Sequence, residues 1–234
     1  MLKVRNTILC AITVALFCPS VGVGQINLFD TVINNGDSAN RVDMIFVGDG
    51  YRDSEITSTY VDHVNGTIDH FFNNSLSAQL GRYQNCFNVH RVNVISNESG
   101  ADDPNANSGQ GSYVDTDLNA SHAWRGGADR LLYFSTSLAN QAVATAFAGT
   151  NIDTDDGMML GPVNTSKYGG GGGQWGVYAG ANGSSKEVAL HEIGHSFANL
   201  ADEYSYGLSG PYQGGEFRQW NITNSDQSGK WDRW

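Results

Sequence analysis

The stretch from Ser184 to Tyr204 most constrains the fold, because it places two histidines one helical turn apart. Its sequence is SSKEVALHEIGHSFANLADEY. The serines at its start can cap a helix N-terminus, and apolar residues follow at helical spacing. On such a helix, His191 and His195 share a face, where both imidazoles can reach one metal ion. Glu192 is then close enough to act on a water molecule at that ion.

The pattern H-E-x-x-H is typical of zinc metallopeptidases, in which zinc takes three protein ligands and keeps one position open. An unbroken helix would carry Asp202 about 10 Å along the axis beyond His195, which is too far for it to bind the same ion. Asn199 tolerates the left-handed conformation that ends helices. We therefore expect the chain to turn near Asn199 and return Asp202 to the metal. Glu203, or Glu216 from a separate element, is the alternative third ligand.

The N-terminus predicts a secretory signal peptide over residues 1–24. Lys3 and Arg5 precede an apolar run from Ile8 to Phe17, and small residues follow as far as a cleavage site before Gln25. The apolar run is too short to span a membrane. We therefore expect a secreted protein, extracellular or periplasmic, with no membrane anchor.

The charge of the chain disfavours nucleic acid as a partner. Loss of Lys3 and Arg5 with the signal peptide takes the formal net charge from −11 to −13, and phosphate backbones are bound by basic surfaces. Residues 25–234 are predicted to form one catalytic domain. The tryptophans at positions 220, 231 and 234 suggest a packed segment that continues beyond the end of the chain, so we expect the domain to be truncated there. Nothing in the sequence indicates the oligomeric state.

Apolar periodicity predicts an α/β domain. Helical spacing indicates helices from Ser54 to Phe72 and from Leu138 to Phe147, and residues 96–127 form a long polar loop. The predicted strands are Val42 to Val47, Cys86 to Ile95, Arg130 to Phe134, Met158 to Val163, and Gln174 to Ala179.

A run of glycines, Gly169 to Gly173, leads into the last predicted strand. We expect the strand Gln174 to Ala179 to be an exposed sheet edge beside the metal-binding helix. Such an edge can pair with an extended peptide, and glycines let a substrate approach closely.

The sequence resembles the IgA-peptidase-like family of bacterial zinc metallopeptidases. The resemblance rests on HEIGHSFANLADEY, on GDGY after the first strand, on NESG after the second and on NTSKYGGGGG before the metal-binding helix. It extends from about Val42 to Tyr204. It implies a secreted zincin-like α/β domain, a mixed sheet with a helix carrying HExxH, that cleaves protein or peptide substrates. It also implies an acidic pair at Asp202 and Glu203, but it does not assign immunoglobulin as the substrate.

In the expected mechanism, Zn²⁺ held by His191, His195 and an acidic ligand lowers the pKa of its water toward about 7. Glu192 takes the proton as water attacks the scissile carbonyl and returns it to the leaving amine. Backbone N–H groups of residues 169–179, or Tyr204, are candidates to stabilise the oxyanion. The alternative is a secreted binding or adhesion module that keeps the fold without catalysis. The presence of Glu192 argues against that alternative.

Overall fold

The computed structural model describes residues 27–73, 78–202 and 214–223. The predicted signal peptide, Glu203 and Tyr204 lie outside these residues. The strands are β1 (Phe29–Ile33), β2 (Val42–Val47), β3 (Phe87–Val92), β4 (Met158–Val163), β5 (Gly170–Gly171) and β6 (Gly176–Ala179). The helices are α1 (Asp53–Ile56), α2 (Thr59–Asn73), α3 (Ala78–Gly81), α4 (Ala106–Gly109), α5 (Thr136–Ala146) and α6 (Ser185–Ser196).

The described strands form one mixed sheet in the order β1-β3-β2-β4-β6-β5. The four central strands run parallel to one another, whereas β1 and β5 run antiparallel to them at the two ends. The prediction of a mixed α/β architecture is therefore confirmed. Strands buried on both faces explain why β2 and β4 are almost continuously apolar.

Alternate residues of each central strand point into two separate cores. Met44 and Phe46 of β2 pack with α2 and α6 on one face of the sheet. Ile45 and Val47 pack with α5 on the other face. This alternation is the strand period of two, and it gives a sheet covered by helices on both sides. Helix α6, which carries the histidines, follows β6 directly.

A buried carboxylate attaches the long polar loop to the end of β2. The Asp49 side chain accepts hydrogen bonds from the hydroxyls of Ser96 and Thr116, at 3.0 and 2.9 Å. It also accepts them from the backbone N–H groups of Leu118 and Ala120, at 3.0 and 2.8 Å. Burial raises the pKa of Asp49, although these hydrogen bonds act in the opposite direction. The loop is thus held against the sheet.

The structure differs from the predicted elements at the edge beside α6. The predicted strand Gln174 to Ala179 is present as β6, but its predicted position at the exposed edge is wrong, because β6 lies between β4 and β5. The edge is the two-residue strand β5, whose glycines have no side-chain period by which it could be recognised. Arg130 to Phe134 is not a strand of the sheet either, and makes only isolated bridges, Leu131 with Gly170 and Tyr133 with Ser121.

Among the described residues, no helix is both long enough and apolar enough to cross a membrane.

Candidate metal centre

Helix α6 brings the two histidines of the H-E-x-x-H pattern together. The His191 and His195 rings meet edge to face with centroids 4.7 Å apart. Their Nε2 atoms are 3.1 Å apart. The arrangement follows from the spacing of four residues, which places side chains on the same helix face.

A turn after the helix brings Asp202 back to the histidines. Asn199 adopts a positive φ of 50°, and the Leu200 N–H donates to the carbonyl of Gly194 at 2.9 Å. Asp202 Oδ1 then lies 3.2 Å from Nε2 of both His191 and His195. Asparagine is one of the few residues that adopt this conformation at low cost.

These three atoms fit a tetrahedral metal ion. Zinc ligands at about 2.0–2.1 Å from the ion lie about 3.3 Å apart around a tetrahedron, close to the 3.1 and 3.2 Å found between the three atoms. Asp202 Oδ1 is shielded from solvent and has no hydrogen-bond partner among the described residues. A buried carboxylate oxygen without a donor is costly unless a cation faces it.

A hydrogen bond behind the cluster fixes the protonation of one ligand. His195 Nδ1 lies 2.7 Å from the carbonyl oxygen of Leu200. A carbonyl can only accept, so Nδ1 carries the hydrogen, and the neutral tautomer with this bond has its lone pair on Nε2, the atom that faces His191 and Asp202. Such a bond is typical of histidines that bind metals.

Glu192 lies beside the cluster and is buried although charged groups surround it. Its side chain is buried, against β5, because a Cβ added to Gly170 would come within 2.7 Å of Glu192 Oε1. Burial, with a smaller contribution from the charge of Asp202, raises the pKa of Glu192 to about 7, although His195 and Arg130 oppose the rise. A carboxyl group with a pKa near neutrality can both accept and return a proton.

The glycine run is required by close packing. A Cβ at Gly171 would lie 2.3 Å from the Tyr133 ring, and one at Gly172 would lie 2.5 Å from His195 Cβ. The edge of the sheet is therefore in direct contact with α6, the helix that carries the two histidines. On the outer side of β5, the Gly170 N–H donates to the carbonyl of Arg130 at 3.1 Å, and the Leu132 N–H donates to the carbonyl of Gly170 at 3.2 Å. The segment preceding α5 thus covers part of this edge.

Two adjoining cavities open at the cluster. One of about 590 Å³ is bordered by α6 and by Arg130 and Tyr168. A second of about 380 Å³ contains the three ligand side chains together with Arg130 and Tyr133. Both are lined by Gly170, His191 and Glu192. A substrate can therefore contact the metal ligands and the acidic residue from a single cleft.

The family model described as IgA Peptidase M64 matches residues 31–234. The chain belongs to this peptidase family. No curated protein matches the chain. Family membership confirms the resemblance found in the sequence. It indicates a peptidase that acts on protein or peptide substrates, and the family also implies a metal ion.

For this peptidase, the structure brings together the ligands that the sequence predicts. His191, His195 and Asp202 form the one group of His, Cys, Asp and Glu side chains with metal-binding geometry among the described residues. Glu216 is described but is not part of that group. The competing ligand Glu203 lies outside the described residues.

Sequence reasoning missed two residues of the cleft, Arg130 and Tyr133. Both lie in a segment that was predicted to be a strand. Its contact with β5 depends on pairing between distant parts of the chain. No local pattern carries that information.

Proposed function

We propose that this chain is a secreted zinc-dependent endopeptidase of the zincin type, with Glu192 as the general base. The observation that carries the proposal is the convergence of His191 Nε2, His195 Nε2 and Asp202 Oδ1 beside a buried glutamate. These three atoms would hold the ion. Zinc would supply Lewis-acid chemistry, polarising the scissile carbonyl and making a water molecule acidic near neutral pH.

The residues of the chain account for the proton transfers. Glu192 accepts a proton from the attacking water and passes it to the leaving amine, which requires a pKa near that of the medium. Its burial provides this pKa. Arg130 also lines the cleft, and its positive charge favours the ionised, proton-accepting form of Glu192.

An extended peptide fits the open part of the cleft. The outer side of Gly170 is already paired with the segment preceding α5, so substrate would lie farther along the edge, at Gly172 and beyond. There the residues are glycines, and without side chains their backbone lies close to His195. A peptide that pairs with this backbone would pass over the ligands.

Secretion and the domain limits belong to the same proposal. Cleavage before Gln25 would release a chain whose N-terminal peptide, with Gln25 free or cyclised, is identified by mass spectrometry of the exported protein. An N-terminus at Gln25 supports export through the signal peptide. A retained Met1 contradicts it.

Metal analysis combined with proteolysis tests the function. We expect about one zinc per chain, cleavage of unstructured casein, loss of cleavage with a chelator and recovery with added zinc. Mapping the products of a peptide library then gives the cleavage preference. Stoichiometric zinc with no cleavage of any peptide would favour a binding module that keeps the fold without catalysis.

A further inference from the structure

Tyr133 lies at the metal centre although it belongs to the segment before α5. Its side chain is half-buried and lines the same cavity as Glu192, His195 and Asp202. It carries the only hydroxyl among the described residues that line this cavity. The hydroxyl donates a hydrogen bond to the carbonyl oxygen of Gly172.

The neighbouring glycines show how near the phenol lies to the ligands. A Cβ on Gly171 would be 2.8 Å from the Tyr133 hydroxyl oxygen, and a Cβ on Gly172 would be 2.5 Å from His195 Cβ. The phenol therefore packs on Gly171 and His195 packs on Gly172, so both side chains border the same two-residue segment. Burial and the negative charge of Glu192 raise the pKa of Tyr133, which keeps the hydroxyl protonated.

We propose that Tyr133 is a catalytic residue whose hydroxyl donates a hydrogen bond to the oxyanion formed when water attacks the scissile carbonyl. This inference rests on the proposed peptidase function. Tyr133 keeps its proton throughout, and the proton transfers remain with Glu192. The donor is already in the cleft before substrate arrives, so little reorganisation is needed.

The existing bond to Gly172 makes the contribution specific to the transition state. Without substrate the hydroxyl is hydrogen-bonded to a neutral carbonyl. Exchanging this acceptor for the neutral carbonyl of a bound substrate therefore changes the free energy little. An oxyanion is the stronger acceptor, because hydrogen bonds to charged groups are roughly twice as strong as neutral ones. The hydroxyl therefore changes partner as negative charge develops. An interaction gained mainly in the transition state raises kcat and leaves KM nearly unchanged.

Tyr133→Phe removes this donor and keeps the ring that packs on Gly171. The matched control is Tyr83→Phe, the same chemical change at an exposed tyrosine outside the cleft. Both variants and the wild type are compared in zinc content, thermal midpoint, kcat and KM for a cleaved peptide. Each protein is also titrated by calorimetry with two ligands. One is a phosphinic peptide, a tetrahedral mimic of the attacked carbonyl, and the other is a peptide product of the cleavage.

We expect Tyr133→Phe to lower kcat by about 10²-fold with KM nearly unchanged, the size of effect seen on removing one oxyanion donor. Affinity for the phosphinic peptide falls by a similar factor, whereas affinity for zinc and for the product peptide is kept. Tyr83→Phe behaves as wild type in every measurement.

Equal phosphinic-peptide affinity in wild type and Tyr133→Phe overturns the role of Tyr133. So does a lower thermal midpoint and weaker zinc binding with unchanged kcat, because a purely structural role has that signature. Failure of the wild type to cleave any peptide contradicts the proposed function instead. The titration with the phosphinic peptide does not depend on cleavage, so the two failures are distinguished.

Discussion

His191 and Glu192 are consecutive residues, so α6 directs their side chains about 100° apart around its axis. His191 is thereby exposed to the cleft, while Glu192 is buried against Gly170. The predicted ligand remains accessible to a metal ion and the proposed base is shielded from water, although the two residues are adjacent in the chain. The consecutive residues His191 and Glu192 thus lie in two different environments, one exposed to the cleft and one buried.

Replacement of Glu192 by Gln or Ala separates catalysis from metal binding. We expect zinc content and fold to be kept, because Glu192 is not among the converging ligand atoms. The rate of peptide cleavage is expected to fall by at least about 10²–10⁴-fold, the usual contribution of a general base. Zinc analysis and kcat measured on the same preparations check this prediction. Retention of most activity in Glu192→Gln would rule out the base.

Asp202→Ala tests the third ligand. It removes one of three ligand atoms, and we expect zinc affinity to fall by at least about 10-fold, since even outer-shell partners of metal sites contribute that much. Glu203→Ala is the comparison, with zinc affinity close to wild type. A competition titration with a zinc chelator measures both variants. Normal zinc binding in Asp202→Ala with loss in Glu203→Ala would reverse the assignment.

The convergence of His191, His195 and Asp202 could be predicted from the sequence because its geometry is local. The spacing of His191 and His195 is set by the helix, and the return of Asp202 depends on one left-handed residue, Asn199. The positions of Tyr133 and Arg130 could not be predicted in this way. They reach the cleft through hydrogen bonds with β5, some forty residues later in the chain, and no local period encodes such a pairing.

Strand β5 shows why an edge strand can escape recognition. Strands are recognised by alternating side chains, and the β5 glycines present none. Side chains are excluded at these positions by close packing, because Gly170, Gly171 and Gly172 face Glu192, Tyr133 and His195, respectively. Gly173 has open space where a side chain would lie. Of the five glycines in the run, the four from Gly169 to Gly172 therefore exclude a methyl group, and Gly173 accepts one.

Gly172→Ala and Gly173→Ala form a matched pair on this element. The added methyl at position 172 would lie 2.5 Å from His195 Cβ, so the helix or the edge must move and the ligand geometry is lost. We expect Gly172→Ala to weaken zinc binding by about 10-fold or more and to cost about 1–3 kcal/mol of stability, as for other overpacked sites. Gly173→Ala should change zinc affinity and urea stability little. Equal behaviour of the two variants would contradict the packing argument.

The metal centre is assembled from parts of the molecule that are distant in the chain. The segment before α5, the β5 edge and the C-terminal end of α6 meet there, at the margin of a sheet covered by helices on both faces. Such a site holds Glu192 away from water only while the whole domain is folded. Its protonation is therefore linked to global stability.

This linkage predicts a pH dependence of the metal-free protein. The pKa of Glu192 rises from 4.5 to about 7 on folding, so the native state binds the proton more tightly than the unfolded state. The stabilisation is fully present below pH 4.5 and is lost as pH rises to about 7. A shift of this size corresponds to about 3 kcal/mol as an upper value.

The variant Glu192→Gln has no carboxyl group to titrate at this position, so its free energy of unfolding does not show this decline with pH. Urea unfolding of both proteins with chelator, from pH 4 to 8, should give curves that diverge with rising pH, wild type falling below the variant. Parallel curves would show that Glu192 is ionised in the metal-free fold, and the buried environment that makes it a suitable base would then be wrong.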